Sequence, residues 1–200
     1  MSSQYFAEQP VAAHRPGTVH VVLPDTHLKL ATDSGVFSPE RLDPGTRLLL
    51  ETAPPPPADG DLLDLGSGYG PLALVLARRA PAARVWAVDV NRRALELCER
   101  NAADAGLTTV RCRPPDDPGL PATYQLIWSN PPIRIGKDAL HELLSSWLSR
   151  LAPARSPTWS SSATSARIRS SAGWRPAAGK PTASPRERAT ASWRCADERR

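Results

Sequence analysis

Two hundred residues with 40% apolar side chains are enough for one domain with a buried core. The net charge of +5 is uneven: residues 152–200 carry +7 and residues 1–151 carry −2, so the basic pI does not mark the folded part as a broad nucleic-acid binder. No run approaches about 18 apolar residues, no secretory signal opens the chain, and Cys98, Cys112 and Cys195 show no CxxC spacing and no even framework; this speaks against a spanning helix and a disulfide scaffold, and implies a soluble cytoplasmic protein with reduced thiols and no membrane partner.

Residues 1–17 read as an irregular arm. Val19–Leu23 and His27–Ala31 read as two short strands around Pro24-Asp25, a hairpin. Gly35-Val36-Phe37-Ser38 is a loop, with Phe37 read as a core aromatic or, second, as cover over a ligand. Asp43 is placed to cap a helix that has Pro44 in its first position and runs through Leu48, Leu49 and Leu50. Pro54–Pro57 forms a stiff linker.

After Gly60 the pattern becomes strand-helix alternation. Leu62–Leu65, Val85–Val88, a weak strand at Val110 and Gln125–Trp128 read as strands. Helices are predicted from Pro71, over Arg92–Ala105 with Gly106 as the stop, and over Asp138–Leu151. Such alternation predicts an α/β fold: a Rossmann-like, doubly wound, mostly parallel sheet behind an N-terminal hairpin and helix. The expected division is an N-terminal extension and linker over residues 1–57, a core over 58–151, and a disordered tail over 152–200.

Three sites fall where strands should end. Asp64-Leu65-Gly66-Ser67-Gly68-Tyr69-Gly70 is a glycine-rich turn that brings backbone N–H groups close to a ligand. Pro71 stands where a dinucleotide fingerprint needs a third glycine, and no Gly-Lys-Ser/Thr follows, so pyrophosphate and Walker-type sites are disfavoured. Asp89 ends the next strand, where a carboxylate accepts from the two hydroxyls of a ribose. Asn130-Pro131-Pro132 ends the last one, where the prolines stiffen the loop and an amide oxygen and a carbonyl can accept from one amino group. Read alone, each also fits a plainer role: a tight turn, a cap for the helix from Asn91, and a strand-ending turn. The four histidines show no ligand spacing.

Taken in order, the three sites resemble motifs I, II and IV of class I S-adenosylmethionine-dependent methyltransferases. Tyr5-Phe6, Gly35–Ser38, Leu42-Asp43 and Gly45-Thr46 further resemble the methyltransferase small domain group, which includes the small-subunit ribosomal RNA guanine-N2 enzymes. The resemblance covers about residues 5–151. It implies that Asp64, Gly66 and Gly68 hold the methionine end of S-adenosylmethionine and that Asp89 holds its ribose. It implies that Asn130 and Pro131 present the target amino group and that Pro132, Ile133, Arg134 and Lys137 contact the substrate. The chemistry implied is direct displacement at the sulfonium methyl, with no metal, and the implied partner is ribosomal RNA or the small ribosomal subunit. Glutamine-amide and adenine-N6 methylation use the same Asn-Pro-Pro, and a degenerate cofactor- or RNA-binding protein is a further reading. One departure is Ile133, where many relatives stack an aromatic on a flipped base. Arg134 and Lys137 fit phosphate contacts or a solvated loop equally.

The tail departs from the pattern. Residues 152–200 hold one Ile168 and no Leu, Val, Met, Phe or Tyr, which leaves nothing to form buried strands. The family normally has seven strands, and four precede Leu151. Back-translated and read from the third base of each codon, the tail admits a strand, an amphipathic helix and a last strand. The expectation is a frameshift near Pro153; a genuine disordered basic tail has the same composition.

Overall fold

A computed structural model describes residues 12–130 and 137–153. Pro131, Pro132, Ile133 and Arg134, the arm before residue 12 and the tail from residue 154 lie outside the described residues.

Strands β1 (Gly17–Leu23) and β2 (Thr26–Thr32) pair antiparallel, with Val21 opposite Leu28 and Val19 opposite Leu30. Alternation buries Val19, Val21, Leu23, Leu28 and Leu30 on one face. A lone two-stranded hairpin is marginal in water, and this one is held because its apolar face joins the main core. Its turn is fastened by Arg79, whose guanidinium grips Asp25 at 2.7 and 3.1 Å and donates to the Leu50 carbonyl at 2.9 Å.

Helix α1 (Pro44–Thr52) starts as the sequence predicts, with the Asp43 carboxylate accepting from the Thr46 N–H at 3.0 Å. It ends before the proline run, because a residue ahead of proline is pushed out of helical geometry.

Strand β3 (Asp61–Leu65) leads into α2 (Pro71–Arg79), β4 (Arg84–Val88) into α3 (Arg92–Asp104), and then come β5 (Val110–Arg113), β6 (Leu126–Ser129) and α4 (Lys137–Leu148). The four strands form one parallel sheet in the order β5-β4-β3-β6. Both faces are covered, as parallel sheets require. Leu62, Val85, Ala87 and Trp128 face α2, α3 and the hairpin. Leu63, Leu65, Val88 and Ile127 face the other way, where Trp147 of α4 and Tyr124 cover them. The expected α/β class, hairpin and parallel sheet are therefore present.

One boundary differs from the sequence reading. Helix α4 stops at Leu148 rather than Leu151, because the chain turns and Leu151 makes a parallel bridge to Tyr124 at the outer edge of β6. The hairpin also has an internal brace. Buried Asn101 of α3 accepts from the Ala31 N–H at 2.7 Å and donates to the Ala31 carbonyl at 3.0 Å and the Tyr69 carbonyl at 2.9 Å. One amide thus joins β2 to the turn after β3. No helix among the described residues is long and apolar enough to cross a membrane.

Candidate functional site

Strand register sets the site. Leu65 pairs with Val88 on one side and with Ser129 on the other. The next residue of each strand is therefore Gly66, Asp89 or Asn130, and these lie in one row across the carboxyl ends of β3, β4 and β6. In open α/β sheets, ligands bind at this end.

The glycine turn is pinned to the end of β4: the Gly66 and Ser67 N–H groups both donate to the Val88 carbonyl, at 2.8 and 3.1 Å. Gly66 and Gly68 have φ of 75° and 54°, and a Cβ on either would meet nothing within 4 Å. These two glycines face open space, a cradle that a side chain would fill. Gly70 is different. Its φ is 99° and a Cβ there would lie 2.6 Å from both Cys98 Sγ and Leu74 Cδ1, so it serves close packing of α2 on α3.

Asp64 is fully buried beneath this turn. Its Oδ2 accepts from the Ala73 N–H at 2.8 Å, while Oδ1 has no partner among the described residues. Burial pushes its carboxyl up to about 8, against the downward pull of the Ala73 N–H. Ser67 Oγ is also buried and without a partner there.

Asp89 links two of the strand ends. Its Oδ2 accepts from the Gly68 N–H at 2.8 Å and its Oδ1 from the Asn91 N–H at 2.9 Å. Burial raises its pKa, and the backbone donors oppose the rise. The cap of α3 is Asn91, whose side chain accepts from the Ala94 N–H at 3.2 Å, so Asp89 does not cap that helix. Each carboxylate oxygen keeps a second lone pair for a ligand.

Asn130 faces the N-terminal helix. Its Nδ2 donates to Asp43 Oδ2 at 2.7 Å and to Thr46 Oγ1 at 3.0 Å. Sequence reasoning singled out Asp43 as a cap and Gly45-Thr46 as a family mark, but missed this contact. Leu42-Asp43 and Gly45-Thr46 stand in the resemblance as family marks, but nothing in them points to a residue 87 positions away.

A strap over residues 35–46 runs past all three strand ends. The Gly35 carbonyl accepts from Asn91 Nδ2 at 2.8 Å, the Ser38 carbonyl from the Tyr69 hydroxyl at 3.3 Å, and Asp43 from Asn130. Ser38 is the one non-glycine residue with positive φ among those described, at 49°. Phe37, expected in the core, is 47% exposed on this strap. The hydrogen bonds of its neighbours hold that loop over the strand ends instead of tucking it into the core.

Asp64, Gly66, Gly68, Asp89 and Asn130 are thus brought together. Pro131, Pro132, Ile133 and Arg134 lie outside the described residues, and Lys137 opens α4 with its side chain likewise undescribed.

Comparison with known proteins bears on the family and the fold. The family model described as "Methyltransferase small domain" matches residues 27–154. Uncharacterized protein YbxB of Bacillus subtilis (strain 168) is 36% identical over 146 residues, which is 72% of this chain and 73% of that protein. Ribosomal RNA small subunit methyltransferase C of Aeromonas hydrophila is 35% identical over 126 residues, 63% of this chain. The match spans only 36% of the Aeromonas protein. Among solved structures, the Thermus thermophilus 16S rRNA N2 G1207 methyltransferase (RsmC), in complex with AdoMet and guanosine, matches with a TM-score of 0.58 and 25% identity. That match covers 72% of this chain and 41% of the other.

Proposed function

This chain belongs to the methyltransferase small domain family, and from that premise we propose that it transfers a methyl group from S-adenosylmethionine to an exocyclic amino group, guanine N2 of small-subunit ribosomal RNA. The observation that carries the reading is the row Asp89, Gly66, Asn130 across adjacent strand ends, beside a glycine cradle open to a ligand.

The residues present fit the cofactor. Gly66 and Gly68 leave room for its methionine end, and Oδ1 of Asp64, without a partner among the described residues, becomes an acceptor for an ammonium donor whose charge favours the ionised carboxylate. Asp89 is fixed by two backbone N–H groups and offers its remaining lone pairs to a pair of ribose hydroxyls. When bound, the cofactor supplies an electrophilic methyl on a sulfonium.

The chain's own part is positional. Asn130 and Pro131 accept hydrogen bonds from the target amino group, which holds the nitrogen against rotation and turns its lone pair out of plane. Positioning of this kind supplies most of the rate of a displacement. The accepting oxygens also stabilise positive charge that grows on nitrogen. Arg134 and Lys137 are assigned to backbone phosphates and Pro132 and Ile133 to the face of the base. The guanine-N2 assignment draws on the ribosomal RNA enzymes among the relatives and on Ile133, which offers no π-face for a flipped adenine.

Purified protein incubated with methyl-labelled cofactor and small ribosomal subunits tests the reading. Label is expected in N2-methylguanosine after digestion, and Asp89→Ala is expected to abolish it. Label in adenine N6, in a protein glutamine, or nowhere would overturn the assignment.

A further inference from the structure

We infer that Asp43, the cap of α1, and Thr46, on its first turn, are positioning residues that lock the Asn130 amide so that only its oxygen can meet the substrate. This deepens the methyl-transfer reading and rests on it. The contact joins residues 87 positions apart, so it is built by the fold and not by local sequence.

A primary amide has two donors on nitrogen and one acceptor oxygen. A carboxylate and a threonine hydroxyl close to it decide which end points where. The atom 2.7 Å from Asp43 Oδ2 must be the amide nitrogen, because an oxygen there would face a carboxylate that only accepts. The second N–H goes to Thr46 Oγ1 at 3.0 Å. Both donors of Asn130 are therefore used within the protein, and the oxygen alone remains for a ligand.

The pair is itself held. Asp43 Oδ2 also accepts the Thr46 N–H at 3.0 Å, which fixes the carboxylate as the helix cap. Thr46 is buried, so its hydroxyl has few rotamers to explore. Ser129, the neighbour of Asn130, donates its hydroxyl to the Leu65 carbonyl at 2.8 Å and secures the strand end.

The consequence is selectivity by hydrogen-bond polarity. A group that donates, such as an amino nitrogen, is welcomed at Asn130. A group that only accepts, such as a carbonyl or a bare ring nitrogen, finds no donor there. Helix α1 thereby becomes part of the specificity machinery even though it lies before the sheet in the chain.

The test uses variants that keep the helix cap. Serine and asparagine cap helices about as well as aspartate, so Asp43→Ser preserves the start of α1 but is too short to reach Asn130. Asp43→Asn can place its oxygen where Oδ2 lies and is the rescue. Thr46→Val removes the hydroxyl at nearly constant shape, and Thr46→Ser restores it. Asp43→Ser and Thr46→Val are each expected to lower kcat for methyl transfer by about 10- to 100-fold. Cofactor Kd is expected to stay within about twofold of the parent chain. Asp43→Asn and Thr46→Ser should recover most of the loss. Unchanged kcat in Asp43→Ser and Thr46→Val overturns the inference, as does loss that the conservative variants fail to restore.

A second readout needs no turnover. In nitrogen-labelled protein the two side-chain amide protons of Asn130 should exchange slowly with solvent and quicken in Asp43→Ser. Unaltered exchange in that variant overturns the inference. Slow exchange that responds to the substitution, in a protein that methylates nothing, supports the locking and overturns the methyl-transfer reading alone.

Discussion

Asp64 carries the most unusual electrostatics of any described residue in the site. Its ordinary carboxyl value is 3.8, and burial lifts it to about 8. The folded state therefore favours the protonated form. The stability this group contributes is complete below about pH 4 and is lost as pH rises toward 8. Asp64→Asn removes the ionisation at constant shape. Urea midpoints at pH 4, 6 and 8 should fall less across that range in the variant than in the parent, and equal slopes would refute the argument. The glycines give a second prediction. Gly70→Ala combines a left-handed φ with a collision against Cys98 and Leu74, and should cost about 3 kcal/mol of stability. Gly66→Ala meets no atom and should cost about 1 kcal/mol while weakening cofactor binding more strongly. Denaturant titration and calorimetry separate the two effects. These residues were legible in the sequence because glycine and aspartate at strand ends have local meanings. The bond from Asp43 to Asn130 was not, because no local pattern encodes a contact between distant segments.

The elements were legible wherever one period dominated. The hairpin reads from strict alternation, and α3 reads from its apolar stripe ended by Gly106. The end of α4 was misjudged by three residues, because Leu151 continues the helical spacing but is taken by a bridge to Tyr124. Tertiary pairing won over periodicity there. Phe37 failed for a related reason: an aromatic in an apolar loop reads as core unless the loop is fastened elsewhere. Among the described residues, helix α4 is anchored chiefly by Trp147. Buried Trp147 packs on Tyr124 with ring centroids 6.4 Å apart, and the Arg150 guanidinium lies 4.5 Å from its ring centre. Trp147→Ala should cost about 3 to 5 kcal/mol. Loss of tryptophan-dominated near-ultraviolet circular dichroism ahead of the main unfolding transition would show α4 detaching first, and a single unchanged transition would refute it.

At the scale of the whole molecule, β6 is the edge strand of the sheet formed by the described residues. Among the described residues nothing pairs with β6 on its outer edge beyond the bridge at Tyr124, and the family match stops at residue 154. An apolar strand edge is a template for another chain. The purified chain is expected to self-associate as concentration rises, measured by light scattering, and a monomer that melts in one sharp transition would refute this. Asn101 has a different reach. By holding both carbonyls, at Ala31 and Tyr69, it makes the outer hairpin and the ligand cradle a single opening unit. Amide protons of β2 are therefore expected to respond to a ligand at the glycine turn. A ligand bound against Gly66 and Gly68 should slow their exchange by the same factor by which it stabilises the cradle, as linkage between opening and binding requires.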